Sequence, residues 1–400
     1  MRRGASGRGS TAPVRPSWFA PLTLDGVIHP SRKLLPLALA LVVALAVGCA
    51  PEIVEAPAVT MSDQPKEIRT IVPSPPEDPI PEVAWPLTGL SAAGASQADL
   101  ERPAIGVKVE NSDMARPQVG LEYADIVFEE YINDHYVRFL AVYHTHYPEE
   151  VGPVRSARSM DPKLFGSFDS ALVASGANFG VQNTFQWDHQ YLLMEDAWDS
   201  YITKGYVWYS EGFFRVSPKT SMHSLRVDVP PMAETAVDKG ASPATPQFDY
   251  AYPAETATAV LEGEPVSTID IRFSYRGHPH WNWDEEEGVW DRFEFSDPHL
   301  TQEGNQITAA NVIILRVKVV YTQPYIPESM VIRDNDPGFV ATGGKVIPIL
   351  WSKEDRTDTF HLTTLDGEPV DLAPGQTWIE LVPRSGAADW ATITFDGVVQ

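Results

Sequence analysis

Two β-prone runs on either side of Asn133-Asp134 constrain the fold of this chain more than any other feature of its sequence. Residues 125–132 and 135–143 are both rich in β-branched and aromatic side chains, which favour strands. Asn and Asp tolerate positive φ, so the dipeptide predicts a two-residue turn that joins the runs into an antiparallel hairpin. In that register Glu129 lies directly opposite Arg138, and we interpret the two as a structural cross-strand pair.

Polar segments that contain arginine flank this hairpin on both sides. Arg116 and Gln118 precede the first run, and the loop 152–161 follows the second. Guanidinium groups bind phosphate and carboxylate groups bidentately, so we expect Arg116, Arg155 and Arg158 to line one anion-binding cleft. Four further side chains are candidate contributors to it, namely Gln118, Arg138, Ser156 and His223. In the alternative interpretation the arginines only fix the loops, by pairing with Glu122, Asp125 or Asp161.

Other signatures of catalysis or metal binding are weak. Glu129 and Glu130 are adjacent on one strand and therefore point to opposite faces, which excludes a catalytic carboxylate dyad. His144 and His146 share a strand face, but no cysteine or third histidine stands at a suitable spacing for a zinc site. The sequence contains no nucleophile elbow, phosphate-binding glycine loop or EF-hand motif. We therefore expect neither a metal site nor a cofactor.

Residues 1–48 have the pattern of a lipoprotein signal peptide. Arg32-Lys33 precede an apolar run over 34–47 that is short for a membrane span, and the run ends in Gly48-Cys49. This order resembles the lipobox of bacterial lipoproteins, although Ala46 stands where leucine is usual. The prediction is that Cys49 becomes the acylated N-terminus and attaches the protein, outside the cytoplasm, to the outer face of the cell membrane. An uncleaved anchor and a plain secretory signal are the alternatives.

The remainder of the chain predicts an α+β protein with two domains. Residues 49–86 are rich in proline and predict an extended tether. Residues 87–240 alternate strands with short helices, one of them opening at Asp161-Pro162 with Asp161 as N-cap, and predict a mixed α/β domain that contains the hairpin. Residues 247–385 hold seven β-prone runs without a convincing helix and predict a mostly antiparallel β-rich domain.

The acidity of the chain excludes one class of partner. It carries 30 Lys/Arg against 54 Asp/Glu, a formal net charge of −24, and without residues 1–48, which hold six basic residues and one acidic residue, the net charge is −29. Such a surface repels the phosphates of nucleic acids, so we expect no nucleic-acid partner. Because an acidic protein repels any anion at long range, binding one would require a concentrated local positive site.

Four motifs in a fixed order carry a resemblance to a known family. They occupy residues 116–118, 124–129, 138–143 and 152–158, and two later runs, at 310–313 and 375–379, extend the resemblance. Together they resemble the YerB-like lipoprotein family. The resemblance implies a surface lipoprotein of Gram-positive type with two successive domains of unknown function, and it implies no particular reaction. Met222-His223-Ser224 departs from the Pro-His-Asn expected in the family, which puts any role of that amide in doubt here.

Two functions follow as hypotheses. In the first, the chain is a lipid-anchored envelope protein that binds an anionic cell-wall component or a partner protein. In the second, it is an enzyme that acts on phosphorylated cell-wall glycan or on a lipid-linked precursor. A divalent ion held by Asp125 or Glu129 beside a bound phosphate would favour the enzyme. Arginines that are saturated by internal carboxylates would favour the binding protein.

Overall fold

A computed structural model describes residues 80–400 apart from 178, 183–190, 195–206, 210, 219–220, 324–325 and 387–390. The predicted signal peptide, Cys49 and most of the predicted tether lie outside these described residues. Helices are few and short in the described part of the chain, and β-strands dominate it. The α-helices are α1 (Gln97–Leu100), α2 (Asp161–Leu164), α3 (Phe179–Gln182), α4 (Val229–Asp238) and α5 (Thr258–Glu262). None of the helices in the described ranges has the length and apolar character needed to cross a bilayer.

The strands fall into an N-terminal and a C-terminal group. The first group is β1 (Ile105–Glu110), β2 (Ile126–Tyr131), β3 (Val137–Tyr143), β4 (Ala171–Ala174), β5 (Tyr191–Met194), β6 (Val207–Tyr209), β7 (Phe213–Arg215) and β8 (Leu225–Val227). The second group begins with β9 (Glu264–Pro265), β10 (Thr268–Arg272), β11 (Pro279–Asp284), β12 (Val289–Glu294), β13 (Asp297–Pro298), β14 (Thr308–Ala309) and β15 (Asn311–Gln323). It ends with β16 (Ile326–Met330), β17 (Arg333–Thr342), β18 (Lys345–Lys353), β19 (His361–Thr364), β20 (Thr377–Gly386), β21 (Thr392–Phe395) and β22 (Val398–Val399).

One large sheet contains strands from both groups. Its order is β19-β18-β17-β15-β20-β2-β3-β1-β4-β5-β6, and β20 runs parallel to β2 on one side and to β15 on the other. Strands of the segments 87–240 and 247–385 are therefore joined by main-chain hydrogen bonds. A second sheet, in the order β13-β12-β11-β10-β21-β22, comes from the C-terminal group. The fold is α+β in class but mostly β in content.

The predicted hairpin is present, but the predicted turn and register are wrong. The two strands are joined by a five-residue loop over 132–136, in which Asp134 and His135 take φ values of 60° and 65°. Glu130, and not Glu129, lies opposite Arg138, while Glu129 lies opposite Phe139. A shift of one residue moves every side chain of a strand to the other face relative to its partner, so the predicted Glu129–Arg138 pair does not form.

A distant contact explains why the loop is longer than predicted. The carbonyl of His135 accepts a hydrogen bond of 2.5 Å from Ser274 Oγ, and the Tyr131 hydroxyl lies 3.0 Å from His135 Nδ1. These contacts place His135 inside the loop and not on β3. Since Ser274 is far away in the sequence, local propensity could not have indicated the register.

Two helix predictions also need correction. Met160 and not Asp161 is the N-cap of α2, and the Asp161 carboxylate instead accepts from Lys108 and from the backbone NH of Arg158. The segment 247–385 contains a short helix, α5, which packs beside β18 and β17 and which the sequence pattern did not indicate.

The second sheet covers one face of the large sheet with aromatic side chains. Trp281 of β11 packs edge-on against Trp378 of β20, with ring centroids 5.3 Å apart, and Phe139 packs against the same Trp378 at 5.1 Å. The guanidinium of Arg292 lies over the Trp378 ring, 4.7 Å from its centroid. Part of the core therefore lies between the two sheets, and this part encloses a charged side chain.

Arg292 is the centre of a buried polar cluster in this core. Its Nη2 lies 2.7 Å from Glu129 Oε2 and 3.1 Å from Glu294 Oε2, and its Nη1 donates to His299 Nδ1 at 2.5 Å. Glu380 of β20 stands beside Glu129 in the parallel register. Burial raises the pKa of both Glu129 and Glu380 above the usual glutamate value. One guanidinium thus faces three carboxyl groups in a part of the protein without contact with solvent.

Candidate functional site

A cavity of about 480 Å³ opens beside the hairpin, and we call it the arginine cavity. It is bounded by the end of β1, the hairpin loop, the segment that follows β3 and the segment that precedes β8. Its lining residues are Glu110, Ser112, Asp113, Met114, Ile132, Asn133, Asp134, Tyr136, Val137, Arg138, Arg155, Met222 and His223.

Strand register places the charged side chains of this cavity together. Arg138 of β3 lies opposite Glu110 on β1 and opposite Glu130 on β2. Residues that face each other across neighbouring strands share one face of the sheet, so these three side chains lie side by side. Lys108 precedes Glu110 by two residues and shares that face as well. The predicted separation of Glu129 and Glu130 is confirmed, since Glu130 contacts Lys108 whereas Glu129 contacts Arg292.

Glu110 fixes two basic side chains at the cavity wall. Its Oε2 lies 2.8 Å from Arg155 Nε and 2.8 Å from His223 Nδ1, and its Oε1 accepts from Arg155 Nη2 at 3.1 Å and from Ser112 Oγ at 2.8 Å. Burial by itself would raise the pKa of Glu110, but the Arg155 charge and these hydrogen bonds hold that pKa below its usual value. Glu110 is therefore an ionised anchor that orients Arg155 and His223.

Arg138 is the least compensated cation of the cavity. Its residue surface is 8% exposed, its Nη1 donates to the Ser156 carbonyl at 2.8 Å, and its Nε has no hydrogen-bond partner among the described residues. Burial lowers the pKa of this guanidinium to about 9, and the nearby charges of Arg158 and Arg155 act in the same direction, while the carboxylates of Glu110 and Glu130 oppose them. A buried guanidinium beside two others is a site where an anion would be strongly stabilised.

Arg158 lies behind the cavity wall. Its guanidinium donates to Asn133 Oδ1 at 3.0 Å and to the carbonyls of Ser156 and Ala157 at 3.3 and 3.1 Å. Burial lowers its pKa too. Arg158 thus ties the loop after β3 to the hairpin loop, and its charge acts on the cavity from a short distance.

A buried ionic triad supports the sheet face beneath these arginines. Lys108 Nζ lies 2.5 Å from Glu130 Oε1 and 2.8 Å from Asp161 Oδ1, and all three side chains are fully buried. Asp161 also accepts a hydrogen bond of 2.6 Å from the backbone NH of Arg158. Burial, together with the Asp161 charge, raises the pKa of Glu130 despite the nearby ammonium group. The triad therefore links the loop that carries Arg155 and Arg158 to β1 and β2.

The structure gathers some of the predicted site residues and separates others. Arg138, Arg155 and His223 converge on the arginine cavity, as expected. Arg116 does not line it. It lines a neighbouring cavity of about 640 Å³ with Glu294 and His299, where it pairs with Asp113. One cleft lined by Arg116, Arg155 and Arg158 together is therefore not what the structure shows.

The roles of Gln118 and Ser156 also differ from the prediction. Gln118 is buried behind the cavity, where its Nε2 donates to the Glu110 carbonyl at 2.9 Å and its Oε1 lies 2.8 Å from His299 Nε2. It thus connects the end of β1 to the Arg292 cluster. Ser156 contributes its backbone carbonyl to Arg138, while its hydroxyl lies 3.5 Å from Ser175 Oγ.

The carboxylates suggested as metal ligands make other hydrogen bonds and ion pairs. Asp125 Oδ2 accepts from the backbone NH groups of His144 and Thr145 at 2.5 and 2.8 Å, and burial raises its pKa to about 6. Glu129 belongs to the Arg292 cluster. Within the described ranges, no group of three or more potential metal ligands occurs. His144 packs on Trp85 and His146 on Tyr123, so the two imidazoles have separate surroundings.

Sequence reasoning missed Glu110, Met114, Tyr136 and Met222. A signal for the first was present, because Lys108 and Glu110 alternate with Val107 and Val109 and so mark a polar strand face. The other three lie in loops, where periodicity carries no information about which cavity a side chain will line.

Comparisons with known proteins agree with the sequence motifs. Residues 87–242 match the family model described as "Protein of unknown function (DUF3048) N-terminal domain", and residues 269–379 match the corresponding C-terminal domain. The chain is 27% identical over 325 residues to the Bacillus subtilis (strain 168) protein named "Putative lipoprotein YerB", a match that covers 78% of this chain and 91% of that protein. The crystal structure of YerB from Bacillus subtilis superposes with a TM-score of 0.64 at 24% identity, over 78% of this chain and all of that one.

Proposed function

Since the chain belongs to the YerB-like family, whose members carry the two DUF3048 domains, we propose that it is a lipid-anchored protein outside the cytoplasm that binds an anionic component of the cell envelope in the arginine cavity. The family description names no reaction, so the proposal is built on the chemistry of the cavity.

The buried guanidinium of Arg138 is the observation that carries this proposal. A buried charge is stabilised when it is paired or fully hydrogen-bonded, and the Arg138 guanidinium donates to the uncharged carbonyl of Ser156. Arg155 stands at the same cavity, held in place by Glu110. A carboxylate or phosphoryl group in the cavity would interact with both guanidinium groups.

The lipid anchor is supported by the sequence and by the name of the Bacillus subtilis relative. Gly48-Cys49 follows an apolar run of the length found in secretory signals, and the Bacillus subtilis relative is named as a lipoprotein. Acylation at Cys49 followed by a proline-rich tether would hold the cavity outside the membrane surface, at a distance of up to roughly 100 Å for about thirty extended residues.

We expect a Cys49→Ala variant to lose membrane attachment. The thiol is the group that a lipid would be attached to, and alanine has no equivalent atom. Metabolic labelling with a fatty-acid analogue and membrane fractionation measure the effect, with the wild-type chain as the reference. Membrane retention of Cys49→Ala at the wild-type level would show that the apolar run is an uncleaved anchor.

Anion binding is tested by an Arg155→Gln variant. We expect inorganic phosphate to raise the melting temperature of the wild-type protein, and we expect Arg155→Gln to bind phosphate about tenfold more weakly or worse, since a hydrogen bond between charged groups contributes about 1.5–3 kcal/mol. Titration calorimetry gives both affinities. Circular dichroism shows whether the variant is folded, and Arg155→Lys, which keeps the positive charge, is the second variant if glutamine disturbs the wall.

Arg384→Gln is the matched control for this experiment. It removes one guanidinium with similar exposure, 28% against 23% for the Arg155 side chain, from a position outside the arginine cavity, and its partner Asp336 keeps Arg333. It should leave phosphate binding unchanged. Equal binding by wild type and Arg155→Gln, or equal losses in Arg155→Gln and Arg384→Gln, would refute a ligand site in the arginine cavity.

A further inference from the structure

Resting on the proposed function, we infer that the ligand of the arginine cavity is an anionic amphiphile, with one phosphate or carboxylate group at Arg138 and Arg155 and an apolar chain across Met114 and Met222. The four side chains belong to one cavity, which joins a cationic floor to an apolar rim.

The two methionines are the first part of the argument. Met114 is 74% exposed and Met222 is 68% exposed, and they are the methionines found among the strongly exposed large apolar side chains of the described residues. Both line the arginine cavity. Single exposed apolar side chains are common and need no explanation, but two of them at the mouth of one polar cavity form a local patch of the kind that marks binding surfaces.

The two methionines come from different segments of the chain. Met114 lies in the segment that follows β1, and Met222 lies in the segment that precedes β8. The side chain of methionine is unbranched and polarisable, so it packs against apolar groups of varied shape. Tyr136 and Ile132 add further apolar surface to the same cavity.

The size of the cavity agrees with a ligand larger than a free anion. Its volume of about 480 Å³ lies within the roughly 300–1,000 Å³ range that small-molecule sites occupy. A phosphate ion alone would fill a small part of this space. The remainder of the cavity is available to the group that the anion is attached to.

The acidic residues at the cavity argue for a single anionic group. Asp113 and Asp134 line the cavity and are exposed, the former with 85% of its side chain accessible. They would repel a second negative charge at the mouth, whereas an uncharged apolar chain is not affected by them. The site therefore favours a ligand with a single anionic group over a polyanionic polymer.

Alkyl phosphates of increasing chain length test this inference. We expect wild-type protein to bind ethyl, butyl and hexyl phosphate with affinities that rise by up to about fourfold for each methylene that becomes buried, as measured by titration calorimetry. Hexanol tests the chain without the anion and should bind far more weakly than hexyl phosphate. The affinity for hexanoate, compared with that for hexyl phosphate, shows whether the site prefers a carboxylate or a phosphate head group.

The variants separate this inference from the proposed function. Met114→Ser and Met222→Ser change exposed side chains, so the proteins should fold normally, keep the affinity for inorganic phosphate and lose most of the dependence on chain length. Leu261→Ser, at a 65% exposed residue outside this cavity, is the control and should behave as wild type. Binding of inorganic phosphate and hexyl phosphate with equal affinity would refute the inference of an amphiphilic ligand, and the proposed anion site would still be supported. Absence of binding by both anions would overturn the proposed function itself.

Discussion

An Arg292→Met variant is expected to lose about 3–5 kcal/mol of unfolding free energy, the range for breaking a buried ion pair by removal of one partner. Arg292 is fully buried, and its guanidinium contacts the carboxyl groups of Glu129 and Glu294 at 2.7 and 3.1 Å. Methionine fills similar space between the tryptophans but leaves those carboxylates without a cation. Urea denaturation followed by tryptophan fluorescence measures the loss.

The stability of the same variant should depend strongly on pH. Without Arg292, Glu129 and Glu380 can remain in the core only as neutral acids, because burial already raises the pKa of both. A group whose pKa is raised in the folded state stabilises the fold below its unfolded pKa and loses that contribution as the pH rises through the folded value. The destabilisation by Arg292→Met should therefore be smaller near pH 5 than at pH 8.

An exposed ion pair provides the control for this prediction. Arg333 pairs with Asp336 at 2.7 Å, and its side chain is 34% exposed. Arg333→Met should cost about 1 kcal/mol or less, as is typical of pairs near the surface. If Arg292→Met loses as little stability as Arg333→Met, and the loss does not change with pH, the guanidinium is not needed to stabilise the three buried carboxyl groups.

Replacement of Lys108 by methionine is expected to destabilise the protein by a similar amount, about 3–5 kcal/mol. The ammonium group is the cation of the buried triad, and its removal leaves Glu130 and Asp161 side by side without compensation. The pKa of Glu130 is already raised by burial and by Asp161, so the loss should grow as the pH rises and shrink as it falls. Chemical denaturation at several pH values gives the measurement.

Lys108→Met should also weaken anion binding, and this sets it apart from Arg292→Met. Asp161 accepts from the backbone of Arg158, so a disturbed triad would displace the loop that carries Arg155. The control is Lys345→Met, which removes an ammonium group that donates to the Val260 carbonyl, and it should cost about 1.5 kcal/mol or less. Unchanged phosphate affinity in a folded Lys108→Met protein would show that the triad serves stability alone.

Much of the local structure around the site follows from the sequence alone. Runs of β-branched and aromatic residues gave the strands of the hairpin, and strand alternation correctly separated Glu129 from Glu130. The clustering of arginine in and around the hairpin indicated an arginine cavity, which Arg155 and Arg138 line, although Arg116 and Arg158 do not line it. These features depend on residues a few positions apart, where propensity and periodicity act directly.

The register of the hairpin and the set of side chains at the site depend on tertiary contacts. The loop of the hairpin is fixed by Ser274, and Glu129 is taken by Arg292, which lies 163 residues further along the chain. His223 reaches Glu110 across 113 residues, while Arg116 lines a neighbouring cavity with Glu294 and His299. Each of these outcomes depends on which strands become neighbours, above all on β20 pairing with β2. Contacts between residues so far apart in sequence follow from the packing of the whole fold, so local propensity cannot predict them.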